Sequence, residues 1–180
     1  MNLKKILTVL IIVLIVIVGT RYGIKKYVYP YPHKEYVNEY SKEYGIDPLL
    51  VLAVIKTESR FNKDAESKKG AKGLMQIMDS TGEWIAEEVG LNYFLPYMLF
   101  DPETNIRFGC WYLNNLENQF NNLDLVLAAY NGGSGNVTKW LGDPQYSEDG
   151  ITLKYIPFPE TKKYVDKVRT NYSVYKYLYK

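Results

Sequence analysis

From Ile6 to Val18 every residue except Thr8 is apolar, so this stretch has no polar helical face. Lys4 and Lys5 precede it; Arg21 and Tyr22 follow Gly19 and Thr20. The run is shorter than the roughly 20 residues of an ordinary membrane-spanning helix. Snorkelling lysine and arginine side chains extend a short span at both ends. The same pattern fits the apolar region of a secretory signal, but no A-x-A-like cleavage site follows. Residues 1–21 are therefore expected to be a retained single-pass anchor, with a cleaved signal as the alternative. Charge does not orient the segment, because Lys4 and Lys5 on one side balance Arg21, Lys25 and Lys26 on the other.

Residues 22–34 contain Pro30 and Pro32 and are expected to form a linker rather than a long helix. Residues 35–180 then read as one mostly helical domain. Tyr36, Val37 and Tyr40 give amphipathic turns that end near Gly45. Asp47-Pro48 marks a helix start, an Asp cap with proline at the first helical position. Leu49 to Ile55 are apolar on every face, which predicts a buried helix. The segment from Asn62 to Gly73 is polar and rich in glycine and lysine, a loop with room for a small hairpin. Ser80 and Glu83 have the spacing of a capping box before Trp84, Ile85 and Val89. Asn105 to Phe120 carries Ile106, Cys110, Leu113 and Leu116 on one face. Leu123 to Tyr130 is a short apolar helix, stopped at Asn131-Gly132-Gly133. A last helix runs from about Glu160, with Tyr164, Val165, Val168, Tyr172 and Tyr175 on one stripe. No long segment alternates with the period of a strand.

Composition narrows the functional classes. The 180 residues allow one domain with a substantial core plus a short appendage. A net charge of +2 without a basic stripe argues against a nucleic-acid partner. One cysteine, Cys110, forms no internal disulfide, and with one distant histidine, His33, it makes no zinc site. Neither a metal nor a cofactor is expected. The 18 tyrosines supply flat amphipathic surface that suits sugars, although most are expected to pack in the core and its rim.

The candidate chemistry begins at Glu58, at the C-terminal end of the most apolar helix of the domain. Partial burial and the negative end of the helix dipole both favour the protonated acid. That is the state a general acid needs near neutral pH. Position alone favours an exposed glutamate at a frayed helix end. A second constellation, Gly70 to Met78, joins glycines to one polar residue, Gln76, among apolar neighbours, as a pocket wall does. A third, Ala128 to Gly133, brings Tyr130 and Asn131 into a glycine-rich turn.

Five motifs stand in order: Glu58-Ser59-x-Phe61, Gly73-Leu74-Met75-Gln76-Ile77-Met78-x-x-Thr81, Asn105-Ile106-x-x-Gly109-x-x-Tyr112-Leu113, Ala129-Tyr130-Asn131-x-Gly133 and Pro159-Glu160-Thr161-x-x-Tyr164-Val165. Each is weak alone. Together they resemble the catalytic domain of soluble lytic transglycosylases, in a short membrane-anchored form, over roughly residues 35 to 178. The resemblance implies a lysozyme-like α fold, peptidoglycan glycan strands as substrate, a monomer, and Glu58 as the single catalytic residue. It implies that Met75, Gln76, Tyr130, Asn131, Glu160 and Tyr164 line the saccharide groove. It also implies that the domain lies outside the cell, membrane-bound or, if residues 1–21 are removed, secreted. One position departs from the family: Asp79 stands where proline is usual. Goose-type lysozymes carry an aspartate one position earlier, so a hydrolytic muramidase with Asp79 as helper is an alternative, and Asp79 or Ser80 capping the next helix is the simpler one. A wall-binding module without turnover is a third.

Overall fold

The computed structural model describes residues 3–180. Residues 1 and 2 of the expected anchor lie outside the described residues, as do the side chains of Leu3, Lys5 and Val9. The described residues form eight α-helices: α1 (Leu3–Gly23), α2 (Lys34–Glu43), α3 (Pro48–Glu58), α4 (Asp79–Glu88), α5 (Pro102–Phe120), α6 (Leu123–Gly132), α7 (Ser134–Leu141) and α8 (Pro159–Tyr179). Short turns of π- and 3₁₀-helix lie at Ile24–Val28 and Pro96–Phe100. The described residues contain no strand, only isolated bridges Glu66–Lys72 and Lys72–Ile77 in the loop before α4.

Helix α3 is the hub. Asp47 caps it by accepting from the Leu49 amide at 2.8 Å, with Pro48 in its first turn. All residues from Leu49 to Ile55 are buried. The helix packs most extensively on α8 and also against α2. Around this axis α5 lies on α2 and α6, and α6 on α7 and α8. Every helix except α1 contributes residues to this core, α4 through Ile85 and Ala86. Cys110 sits within the core, where burial pushes its thiol far above the ordinary range, so it is an inert packing residue.

Several expectations are corrected. Helix α4 starts at Asp79, capped by extended Met78 without a side-chain hydrogen bond. Ser80 is thus inside the first turn, and the Ser80–Glu83 capping box does not form. The Asn131-Gly132 pair belongs to the last turn of α6, because the break needs the positive φ of +87° that Gly133 adopts. Helix α7 and the Pro96–Phe100 turn were not evident in the sequence; both are too short to build a periodic pattern.

The N-terminal helix passes residue 21 and continues as a π turn to Val28, with the Ile6–Val28 segment apolar enough and long enough to cross a membrane. Its most apolar stretch is not buried by the rest of the protein, while its end from Gly23 to Lys25 is partly covered. The segment after it is docked rather than free. The Tyr29 ring meets Tyr175 edge-on at 5.2 Å, and Tyr175 and Tyr179 donate to the carbonyls of Pro30 and Tyr29 at 3.0 and 2.7 Å. The prolines stop the helix, as expected, but aromatic packing on α8 removes the freedom of a linker.

Candidate active site

Glu58 is the last residue of α3, where the chain must turn away from the core. Ser59 closes the helix and its hydroxyl donates to the Leu74 carbonyl at 2.8 Å, tying the helix end to the Gly73–Met78 loop. Arg60 and Phe61 follow in the left-handed region, at φ 51° and 68°. Such backbone is costly for residues other than glycine and persists only where surrounding contacts hold it.

The loop facing Glu58 is fixed from behind by Asn105, which is wholly buried on α5. Its amide donates to Leu99 and Lys72 carbonyls at 2.7 and 2.9 Å, and its oxygen accepts from Met75 N–H at 2.7 Å. All of its strong polar capacity is spent on backbone. At Gly73, φ is +76° and a Cβ would collide with the Leu99 carbonyl and the Asn105 amide, so only glycine fits. Gly109 on α5 admits the Met75 side chain in the same way: a Cβ there would overlap the Met75 sulfur.

These constraints leave an open groove of about 760 Å³. Glu58, Gln76, Tyr130, Asn131 and Glu160 line it. Met75 and Tyr164 do not. Met75 is fully buried, and its role is backbone: its carbonyl accepts from the Tyr130 hydroxyl at 2.9 Å. Tyr164 lies beneath the surface beside Glu58, with its hydroxyl buried and without a well-formed hydrogen bond among the described residues. Gln76, at φ 51°, donates its amide to Gly73 and Ala65 carbonyls at 2.9 and 3.1 Å. Its two donors are occupied, which leaves its oxygen as the group available to a ligand. Met78 and Phe158, both substantially exposed, add apolar wall. Met78 belongs to the second motif, whereas Phe158 did not stand out in the sequence, because an exposed apolar residue beside a helix start has no distinctive pattern.

Burial is the largest influence on the Glu58 carboxyl and raises its pKa to about 7, while the nearby Tyr164 hydroxyl pulls it down in part. The hydroxyls of Tyr130 and Tyr164 are pushed well above their ordinary value by burial, then by the Glu58 charge, so both stay protonated donors. An acid that titrates near neutrality can both give and take a proton. Asp79 is engaged elsewhere. Lys72 binds both of its oxygens, at 2.7 and 2.9 Å, and reaches Glu66 at 3.6 Å. Asp79 does not line the groove. Among the described residues no group of three or more His, Cys, Asp and Glu side chains gathers that could hold a metal.

A helical domain with one buried glutamate at the foot of a saccharide-sized groove defines the lysozyme-like class. Residues 35–151 match the family described as the transglycosylase SLT domain, and the chain belongs to that family. It is 36% identical over 152 residues to the soluble lytic murein transglycosylase of Escherichia coli K12, covering 83% of this chain and 24% of the relative. It is 33% identical over 164 residues to the membrane-bound lytic murein transglycosylase C of Pectobacterium atrosepticum, covering 78% and 45%. An inactive Glu-to-Gln mutant of the lytic transglycosylase Slt from Pseudomonas aeruginosa superposes with a TM-score of 0.74 at 34% identity, covering 83% of this chain and 24% of that one. The chain thus spans about a quarter of the length of the soluble relatives it matches.

Proposed function

We propose that this protein is a peptidoglycan lytic transglycosylase that cleaves the β-1,4 bond between N-acetylmuramic acid and N-acetylglucosamine. The observation that carries the reading is Glu58: the groove holds two carboxyls, and while Glu160 is exposed, Glu58 is buried enough to titrate at about pH 7. Two carboxylates are the usual requirement for glycoside hydrolysis, and substrate-assisted enzymes are the exception. Here Glu58 protonates the glycosidic oxygen as the C1–O bond breaks. The muramic acetamido oxygen stabilises the cationic C1. Glu58, now a carboxylate, takes the proton of the muramic C6 hydroxyl, and that oxygen closes on C1. The product is a 1,6-anhydro end, no water is consumed, and Glu58 is returned to its acid form.

The remaining residues divide the work. Tyr164 donates toward Glu58 in its carboxylate phase. Tyr130, held by the Met75 carbonyl, keeps the wall of the groove rigid. Gln76 accepts an acetamido N–H through its free oxygen, and Asn131 and Glu160 supply polar contacts to the glycan. Met75 acts by position and not by contact. The protein works as a monomer, anchored by the Ile6–Val28 span with its domain on the outer side, where the substrate lies. The membrane-bound relative and the uncovered apolar helix support the anchor.

Digestion of purified wall followed by mass spectrometry tests the reading. Wild type is expected to leave 1,6-anhydro ends, and Glu58→Gln to lower the rate by about 1,000-fold or more. Reducing ends would instead make it a muramidase, and equal clearing by both proteins would remove Glu58 from the reaction.

A further inference from the structure

A second cleft, of about 490 Å³, lies away from the catalytic groove, between the foot of α3, α8 and the turn that ends the N-terminal helix. Tyr27, Val28, Lys56, Arg60, Lys167 and Asn171 line it. No Asp or Glu does. Ion pairs elsewhere hold Lys63, Lys72, Lys154, Lys162, Arg169 and Lys180. Lys56, Arg60 and Lys167 form none among the described residues. Lys56 is half-buried, with its ammonium 4.4 Å from the Tyr29 ring centroid and donating to the Val28 carbonyl. Burial and then the Arg60 charge make its ammonium harder to keep protonated. Like charges are therefore gathered in a partly dry cleft with nothing to balance them, an arrangement that an anion would relieve.

The position of the cleft identifies the anion. Tyr27 and Val28 close the Ile6–Val28 span. Val28 lies roughly 10 Å along the helix from Arg21, which sets the cleft beside the headgroup layer when Arg21 sits at the interface of the proposed span. Arg60 offers a planar donor fork and Lys167 a point charge, the two recurrent ways of binding a phosphate. Tyr27 and Val28 beside them suit the apolar shoulder of an amphiphile better than a free ion. We infer that this cleft binds the phosphodiester headgroup of an anionic phospholipid in the leaflet from which α1 emerges. The inference rests on the membrane span proposed for α1. The bound headgroup fixes the base of α3, and so holds the groove at a set height above the membrane.

Native mass spectrometry tests this on the full chain, released from micelles holding equal phosphatidylglycerol and phosphatidylcholine. Wild type is expected to retain phosphatidylglycerol preferentially. Arg60→Gln with Lys167→Gln, both at exposed positions, should reduce that preference by roughly tenfold or more, a surface charge being worth about fivefold. Lys162→Gln with Arg169→Gln removes the same charge from paired sites and should change it less than about twofold. Equal loss from both double variants, or no loss from the first, overturns the proposal. Release of the lipid by excess inorganic phosphate would mean a free-anion site and overturns it too. Carbonate washing of the same membranes separates the two readings. A chain that washes out refutes the span and the headgroup site together. A chain that stays, with lipid retention indifferent to Arg60 and Lys167, refutes the headgroup site alone.

Discussion

Helices α1 and α3 have the same pattern and opposite surroundings. Each is apolar on every face over its central turns, yet α3 is buried from Leu49 to Ile55 and the apolar window of the Ile6–Val28 span holds no buried residue. A helix without a polar face needs a non-aqueous medium all round. For α3 the protein itself is that medium, through α8, α2 and the core. For α1 the bilayer of the proposed anchor would fill the same part. The consequence differs at the helix ends. Arg21 and Tyr22, at the end of α1, are exposed and suited to an interface. Glu58, at the end of α3, remains in the low-dielectric surroundings of the core and titrates near neutrality. One sequence pattern thus yields the proposed anchor in one place and a carboxyl with a raised pKa in the other.

A charge placed in each helix gives the largest test of that contrast. Leu52→Lys buries an unpaired ammonium and is expected to cost about 4 kcal/mol or more, enough to unfold the domain, read by circular dichroism and thermal melting. Ile12→Lys should leave the melting of the domain unchanged and weaken membrane retention, with an insertion cost of about 3 kcal/mol, read by carbonate extraction. A domain melt that falls with Ile12→Lys would mean that α1 packs on protein.

A smaller effect is expected where the core supports the groove. Gly109→Ala forces a methyl group against the Met75 sulfur, and overpacking of this kind costs about 1–3 kcal/mol. Because Met75 holds Tyr130 through its carbonyl, activity should fall further than the stability loss explains. A loss of stability with full activity in the folded fraction would separate Met75 from the site.

The acid itself gives a pH-dependent signature. The folded pKa of Glu58, about 7, lies above the ordinary value of 4.5. Folding is therefore favoured by protonation: this contribution is fully present below about pH 4.5 and is lost as pH rises through 7. Glu58→Gln removes the charge that α3 cannot solvate. It should raise the melting temperature by a few degrees at pH 8 and leave it unchanged near pH 4. In the wild type, cleavage should decline as pH rises through about 7, the acid form being lost. A variant that melts alike to wild type at both pH values would place Glu58 in water.

The smallest effect is expected at Asp79. Its ion pair with Lys72 leaves Asp79 substantially exposed, and exposed pairs contribute about 0–1 kcal/mol. Asp79→Asn should alter stability by no more than that and lower the cleavage rate less than about threefold. A much larger loss, together with reducing ends in the wild-type product, would restore Asp79 as a hydrolytic helper.

How much was legible follows from the range of each cause. Asp47-Pro48 announced the start of α3, and the all-round apolar run announced its burial, because capping and periodicity are local. The same local logic misread Ser80 and Glu83, whose spacing suits a cap that the true helix start at Asp79 leaves unused. The motifs marked Met75 and Gln76 as equals, yet one is buried in the core and the other faces the groove.

The sequence by itself determined a mostly helical domain, an N-terminal helix without a polar face and Glu58 as the residue to watch, since these depend on neighbours a few positions apart. Only the tertiary structure decided that Asn105 fixes the loop facing Glu58, that Tyr164 lies against its carboxyl, and that the expected linker is clamped to α8. Those contacts join residues far apart in the chain. The dielectric around Glu58, and hence its chemistry, is set by what the fold brings against it.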